Sequence, residues 1–126
     1  MPKNYDQNNV FAKIICGEIP SQKVYEDDKI LAFYDISKAA PTHVLVVPKA
    51  EYISFADFID KAESIEIANF FGKVKEIASQ IGLDKNGYRL ITNNGSDASQ
   101  TVPHFHVHIL GGKKLGGLLP KDKLER

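Results

Sequence analysis

Apolar side chains recur along the chain with the two periods that are typical of helices and strands. The clearest helical pattern spans residues 61–81. It forms one broad apolar stripe made of Ile67, Phe70, Phe71, Val74, Ile77, Ala78 and Ile81. Asp60 and Glu63 have the spacing of a capping box, and Gly82 is a typical helix stop. This pattern predicts one long amphipathic helix.

A shorter helix and a set of strands complete the pattern. Residues 8–16 have helical apolar spacing and end before Gly17. Strands are predicted over residues 23–26, 29–36, 43–48, 88–92 and 102–110. In the second of them Leu31, Phe33 and Asp35 share one face. Because the strands are spaced as hairpins rather than as βαβ units, the chain predicts an α+β fold with an antiparallel sheet.

The composition narrows the class of protein. The 126 residues predict a single domain, 1–126, with tail segments at residues 1–7 and 113–126. Lys plus Arg and Asp plus Glu number 16 each, so no basic field favours nucleic acid as a partner. No signal peptide or membrane span is expected. The single cysteine, Cys16, excludes an internal disulfide and indicates a cytoplasmic location.

Three of the four histidines lie in the run VPHFHVHIL, at positions 104, 106 and 108. On a strand these side chains project from one face, about 6.7 Å apart along the chain. The alternate residues point to the other face, where they anchor the strand in the core: Phe105, Val107 and Ile109. The alternation therefore separates a histidine face from a packing face.

Three interpretations of the histidine face compete. The first is a solvent-facing sheet surface, which is a weak interpretation because Lys, Thr and Glu usually fill that role. A His-x-His pair can bind zinc, although further ligands are needed. A neutral imidazole can also attack phosphorus, with its neighbours handling protons. The preceding loop favours phosphorus, because it supplies donors suited to phosphate oxygens: Asn93, Ser96, Ser99, Gln100 and Thr101.

The chain resembles the histidine-triad (HIT) superfamily of nucleotide hydrolases and transferases. The run HFHVHIL matches its His-φ-His-φ-His-φ-φ motif. The resemblance extends through NNVFAKIICGEIPSQKVYEDD, LAFYDIS, APTHVLVVPK, GYRLITN and SQTVPHFHVHILGG. The ILGG ending is similar to the Hint branch of purine nucleoside phosphoramidases. This resemblance implies a five-stranded antiparallel sheet with one long and one short helix, and a sheet that continues across a homodimer.

The resemblance also implies a role for each histidine. His106, the middle one, is the expected nucleophile, which attacks the α-phosphorus of a nucleoside 5′-phosphoramidate and forms a nucleotidyl-histidine. His108, with Thr101, is expected near the leaving group. His104 and His43 complete the four-histidine set of the family. Adenosine phosphoramidates are the expected substrates and AMP the expected product.

The remaining site residues also follow from the resemblance. Asp35 is expected to accept the ribose hydroxyls. The loop residues Asn93, Ser99, Gln100 and Thr101 are expected to contact the nucleotide. The family's apolar base pocket corresponds to Val10, Phe11, Ile14, Phe33, Ile36 and Leu45.

The chain departs from the family pattern at three places. Residues 9–12 replace a Cys-x-x-Cys that belongs to a zinc site in many relatives, so we expect no metal and no cofactor. Ala98 and Ser99 replace a Gly-Gly pair, so the loop is expected to relax differently at Ser99. The tail lacks a tryptophan that some relatives place near the substrate. Two other functions stay open, dinucleoside polyphosphate hydrolysis and nucleotide-binding regulation with vestigial activity.

Overall fold

The computed structural model describes residues 4–124, in which five strands form one antiparallel sheet. The strands are β1 (Lys23–Glu26), β2 (Ile30–Tyr34), β3 (Thr42–Pro48), β4 (Arg89–Ile91) and β5 (Val107–Gly111). The helices are α1 (Val10–Ile15), α2 (Phe55–Lys61) and α3 (Ser64–Gln80), with a 3₁₀ turn at Ser96–Ala98. The predicted α+β class and the antiparallel sheet are confirmed. Residues 1–3 and 125–126, the ends of the predicted tail segments, lie outside the described residues.

The strand order is β1-β2-β3-β5-β4, so β3 lies at the centre and β1 and β4 form the edges. All four strand pairs are antiparallel. In this register Leu45 of β3 lies opposite Phe33 of β2 and opposite His108 of β5. The order therefore aligns a row of side chains from three neighbouring strands on one face of the sheet.

One face of the sheet packs against α2 and α3. The stripe on α3 is confirmed, since Phe70, Val74, Ile77 and Ala78 are buried against the sheet. Phe105, Val107 and Ile109 belong to the same core, as the alternation predicted. The opposite face carries a smaller apolar cluster made of Phe11, Leu31, Phe33, Leu45 and Val47, which α1 covers in part.

The prediction of one helix over residues 61–81 is wrong at its N-terminal end. The long helix begins only at Ser64, because Ala62 and Glu63 have extended backbone, and α2, which was not predicted, ends at Lys61. Ser54 caps α2 through a hydrogen bond from the Asp57 N–H, and this Ser-x-x-Asp signal was visible in the sequence. Glu63, at the N-cap of α3, makes no side-chain capping bond, so the predicted capping box is absent.

The predicted strand over residues 102–110 is also too long, because pairing begins only at Val107. Pro103 has no N–H to donate, and the N–H of Phe105 bonds to the carbonyl of Tyr52, outside the sheet. The His106 carbonyl accepts a 2.7 Å hydrogen bond from the Thr92 hydroxyl in place of a main-chain partner. The alternation of faces nevertheless continues through the unpaired part.

Among the helices of residues 4–124, none combines the length and the apolar character that a membrane crossing requires.

Candidate active site

The four histidines lie on the sheet face that α1 covers. His43 lies on β3 and His108 on β5, on the same face as Phe33 and Leu45. His104 and His106 precede β5, and the ring of Phe11 from α1 lies edge-on against both of them. The structure thus brings together four residues that the sequence separates by up to 65 positions.

His106 presents one unprotonated ring nitrogen. Its Nδ1 lies 2.7 Å from the main-chain carbonyl of His104, which can only accept, so Nδ1 carries the proton. Burial lowers the pKa of His106, which keeps the ring neutral near pH 7. Nε2 of this neutral ring is therefore a lone-pair nitrogen. Among residues 4–124 it has no hydrogen-bond partner in the structure, and it is free to act as a nucleophile.

His43 and His108 form a hydrogen-bonded pair with defined proton positions. The Ala39 N–H donates to His43 Nδ1 over 3.0 Å, so the His43 proton is on Nε2. That Nε2 donates to His108 Nδ1 over 2.8 Å, which leaves the His108 proton on its own Nε2. Burial lowers the pKa of His108 to about 4 and also lowers that of His43. His108 therefore offers an N–H donor beside His106, with the two ring centroids 5.1 Å apart.

His104 is fully buried, and both of its ring nitrogens have partners. Nε2 donates to the carbonyl of Pro48 over 2.8 Å, and Nδ1 accepts from the Tyr5 hydroxyl over 2.6 Å. Burial lowers the pKa of His104 to about 4, so the ring is neutral at pH 7. Sequence reasoning did not identify Tyr5, which is 99 positions away from its partner.

Asp35 follows β2 at the edge of the same face. One carboxylate oxygen accepts the Ser37 N–H over 2.8 Å, and the other lies 3.4 Å from His43 Nε2. The second oxygen has no shorter partner among the described residues, because the His43 proton is directed at His108. The carboxylate therefore keeps acceptor capacity for a hydroxyl-bearing ligand.

An apolar cavity of about 430 Å³ opens beside Asp35. All six residues of the predicted base pocket line it: Val10, Phe11, Ile14, Phe33, Ile36 and Leu45. Asp35 and Thr101 are also on its wall, and Ile36, which is fully exposed, is at its rim. A larger cleft of about 620 Å³ near Lys61 is lined by none of the predicted site residues, so size alone does not locate the site. The volume suits a nucleoside-sized ligand.

The predicted phosphate-contacting loop is held mainly by Gln100. Its side-chain oxygen accepts the Gly95 N–H, and its amide nitrogen donates to the carbonyls of Ile53 and Val102. The polar atoms of the Gln100 side chain therefore position the loop. Thr101 is exposed beside this anchor, and Asn93 is half-buried at the start of the loop.

Ser99 adopts the left-handed conformation, with φ of 60° and ψ of 37°. Ser99 therefore takes a conformation that favours glycine, and the expectation that the loop relaxes differently from that of the relatives stays a prediction. Serine carries the positive φ itself, at the cost that a Cβ brings in this region. The Ser99 N–H donates to the Ser96 carbonyl over 3.0 Å. Its contact with phosphate stays a prediction.

Asp35, His43 and His108 are the described residues that could hold a metal ion. Their ligand atoms lie within 4.8 Å of one another, and a carboxylate with two imidazoles is a set that zinc accepts. The two imidazoles already share one hydrogen bond, so an ion would have to displace that proton. The expected absence of a metal stays a prediction.

Comparisons with known proteins agree on one family. The model of the HIT domain family matches residues 16–115. An uncharacterized HIT-like protein of Rickettsia prowazekii is 56% identical over 115 residues, which cover 91% of this chain and 96% of that protein. A purine nucleoside phosphoramidase of Escherichia coli is 41% identical over 113 residues, covering 90% of this chain and 94% of that enzyme.

Solved structures give the same result. A histidine triad protein from Clostridium difficile is 46% identical and superposes with a TM-score of 0.83, covering 92% of this chain and all of the other. A HIT family hydrolase from Clostridium thermocellum is 40% identical with a TM-score of 0.82, covering 90% of this chain and 99% of the other. Residues 16–115, which the HIT domain model matches, contain the whole sheet and the histidine run.

Proposed function

The chain belongs to the HIT domain family, and we propose that it hydrolyses the P–N bond of purine nucleoside 5′-phosphoramidates, with adenosine preferred. The products are the amine and the nucleoside monophosphate. The observation that carries this proposal is the position of the His106 proton. The His104 carbonyl holds that proton on Nδ1, so Nε2 is unprotonated beside a nucleoside-sized cavity.

In the proposed first step, the lone pair on His106 Nε2 attacks the α-phosphorus. The P–Nε2 bond forms while the bond from phosphorus to the amine nitrogen breaks, and that nitrogen leaves with an added proton. The His106 ring acquires positive charge as it becomes nucleotidylated. The His104 carbonyl stabilises this charge, because the hydrogen bond from Nδ1 strengthens as the ring becomes cationic.

His108 fits the role of a hydrogen-bond donor to the phosphoryl group that His106 attacks. Its Nε2–H is positioned by the Ala39–His43 hydrogen-bond chain, which fixes the direction of the imidazole. Hydrogen-bond donation from this neutral ring to a phosphate oxygen stabilises the charge that develops in the transition state. The proton that the departing nitrogen gains comes from solvent, because loss of the Nε2 proton would leave His108 as an anion. In the second step water attacks the phosphorus and gives up one proton to solvent, the P–Nε2 bond breaks, and His106 returns to its neutral starting state with release of the nucleoside monophosphate.

The cavity gives the proposed nucleotide its orientation. A purine fits among the apolar side chains around Phe11, and Asp35 lies where it can accept the two ribose hydroxyls. Binding by burial of a flat ring discriminates only modestly between bases. The choice of purine over pyrimidine nucleosides therefore rests on the relative from E. coli, whose name specifies purine nucleosides. The preference for adenosine rests on the family resemblance alone.

The test of this function is a comparison of two substrates under identical conditions. We expect turnover of adenosine 5′-phosphoramidate with a much larger kcat/KM than that of a diadenosine polyphosphate. Activity should survive exhaustive chelation, because no step uses a metal ion. A strong preference for the polyphosphate would replace the proposed reaction by polyphosphate hydrolysis. Binding of AMP without turnover of either compound would identify a nucleotide-binding regulator.

We also propose that the protein is a homodimer whose sheets join at an edge strand. β4 is an edge with three residues, and Leu90 at its centre is 45% exposed. A second copy paired there would satisfy the main-chain groups of β4 and cover Leu90. The stripe on α3 gives no separate support, since it is buried within its own subunit.

Sedimentation equilibrium tests the dimer. We expect a mass of twice 14.0 kDa at micromolar concentration. Leu90→Lys adds a charge at the proposed contact and should shift the protein toward monomer, because burial of an unpaired charge is costly. As a control, Leu124→Lys changes an exposed leucine in the C-terminal segment. A 14.0 kDa species for the wild-type protein at that concentration rules the dimer out.

A further inference from the structure

The segment before α1 contacts the histidine site through Tyr5. The Tyr5 hydroxyl lies 2.6 Å from His104 Nδ1, and the two rings pack edge to face with centroids 5.5 Å apart. Neighbouring residues hold this segment in place. Asp6 accepts hydrogen bonds from Asn8 and Asn9, and the Gln7 side chain donates to Glu51. Tyr5 is therefore presented to His104 by an ordered turn.

The Tyr5 hydroxyl satisfies a nitrogen that has no other partner among residues 4–124. His104 is 0% exposed, and its Nε2–H is committed to the Pro48 carbonyl. Its Nδ1 is an acceptor in a neutral ring and needs a donor, which only Tyr5 supplies. A buried acceptor without a donor is unfavourable, so the ring would rotate or admit water if the hydroxyl were absent.

The position of His104 matters to the reaction through its main chain. Its carbonyl is the group that accepts the Nδ1–H of His106 over 2.7 Å and so directs Nε2 of the proposed nucleophile. The side chain of His104 is fixed at both ends, by Tyr5 and by Pro48, and its carbonyl direction is fixed with it. Small misplacements of a reacting atom are costly, because catalysis depends on near-attack geometry.

We propose that Tyr5 is a positioning residue: its hydroxyl fixes His104, and the carbonyl of His104 in turn orients His106 for attack. The inference rests on the proposed function for its kinetic consequence. Tyr5 does not line the nucleotide cavity, so it acts on the orientation of the nucleophile and leaves nucleotide affinity unchanged. The catalytic unit accordingly includes the segment before α1.

Tyr5→Phe tests the proposal, because it removes the hydroxyl and keeps the ring against His104. We expect kcat for adenosine phosphoramidate to fall about five- to fiftyfold, as for a lost buried hydrogen bond, with KM unchanged within about twofold. The matched control is Tyr25→Phe on β1, which also removes a hydroxyl that donates over 2.6 Å, in that case to Asp27. The control should leave kcat unchanged.

Imidazole ¹⁵N NMR supplies a readout that does not depend on turnover. In the wild-type protein His104 is expected to be protonated at Nε2 and His106 at Nδ1. Tyr5→Phe should leave the His104 proton on Nε2, where the Pro48 carbonyl holds it, but should shift the Nδ1 signal of His104 and broaden the signals of His106. If kcat and both sets of signals match the wild type, or if Tyr25→Phe loses as much kcat, the proposal is overturned. If the wild-type protein turns over no phosphoramidate, the proposed function fails, and the NMR signals alone decide the role of Tyr5.

Discussion

Replacing His106 with alanine is expected to abolish phosphoramidate turnover while nucleoside monophosphate still binds. The substitution removes the only group that forms the proposed covalent bond, so kcat should fall by roughly 10³-fold or more. His106 does not itself line the cavity, and Asp35 and the other lining residues remain, so the dissociation constant for AMP should change little. Stopped assays and calorimetric titration with AMP measure the two quantities separately.

Two further variants make this test specific. His106→Asn keeps an amide that can donate to the His104 carbonyl but has no nucleophilic Nε2, so it should be as inactive as His106→Ala. Asp35→Ala should have the opposite effect and weaken ribonucleotide binding by about 1–3 kcal/mol, the range for an unpaired buried polar group. If Asp35→Ala weakens nucleotide binding but still forms the covalent intermediate, the role of Asp35 is separate from that of His106.

The intermediate itself identifies the nucleophile. Wild-type protein quenched during turnover should carry a nucleotide on His106, in a bond that acid hydrolyses, as phosphoramidates are acid-labile. An adduct on His104 or His108 would contradict the assignment. None is expected on His104, because both of its ring nitrogens are engaged, by Tyr5 and by Pro48. Most of the wild-type rate remaining in His106→Ala would contradict it equally.

The face that carries the histidines could be predicted from the sequence because alternation depends on extended backbone rather than on strand pairing. Phe105, Val107 and Ile109 pack in the core although pairing begins only at Val107. The proton positions could not be predicted, because they are set by main-chain groups whose direction the residue types do not specify. The Ala39 N–H fixes His43, and the Pro48 carbonyl fixes His104.

The parts that sequence reasoning missed lack a periodic signal. Tyr5 falls in a segment that composition marks as a tail, and its partner is 99 positions away. α2 has seven residues, too few to show the helical period clearly, and only its last residue, Lys61, falls within the predicted helix. Ser54 and Asp57 were a usable local signal for its start. The hydrogen bonds by which the Gln100 side chain anchors the loop, to Gly95 and Ile53, were also not predictable from residue type alone.

The free energy of unfolding is expected to fall steeply as the pH decreases from about 6.5 to 4, and over most of this range histidines rather than carboxylates are the titrating groups. Burial lowers the pKa of all four histidines, and those of His104 and His108 to about 4. In the unfolded chain these groups titrate near their ordinary value of about 6.5. The unfolded state therefore binds protons first as the pH falls, and the equilibrium shifts toward unfolding.

The size of this effect follows from His104, the most buried of the four. Its pKa lies roughly 2.5 units below the ordinary value, so this residue alone should remove roughly 3 kcal/mol of folding free energy by pH 4. A domain of this size is stable by about 5–15 kcal/mol, so the loss is a substantial fraction. Above pH 6.5 the histidines are neutral in both states, and their contribution no longer varies with pH.

Urea denaturation at a series of pH values measures this contribution. We expect the free energy of unfolding to be level above pH 7 and to fall between pH 6.5 and 4. Lys23 and Lys49 lower the pKa of Glu26. Burial raises the pKa of Asp57, but Lys61 and the Ile53 N–H outweigh it and lower the value. Both carboxylates add to the loss only at the acidic end of that range. His104→Gln cannot titrate, so its curve should be shallower even if the variant is less stable at pH 7. Equal slopes for the two proteins between pH 6.5 and 5 would show that His104 is not held neutral by the fold. The neutral imidazoles that the proposed nucleophilic step requires would then need a different explanation.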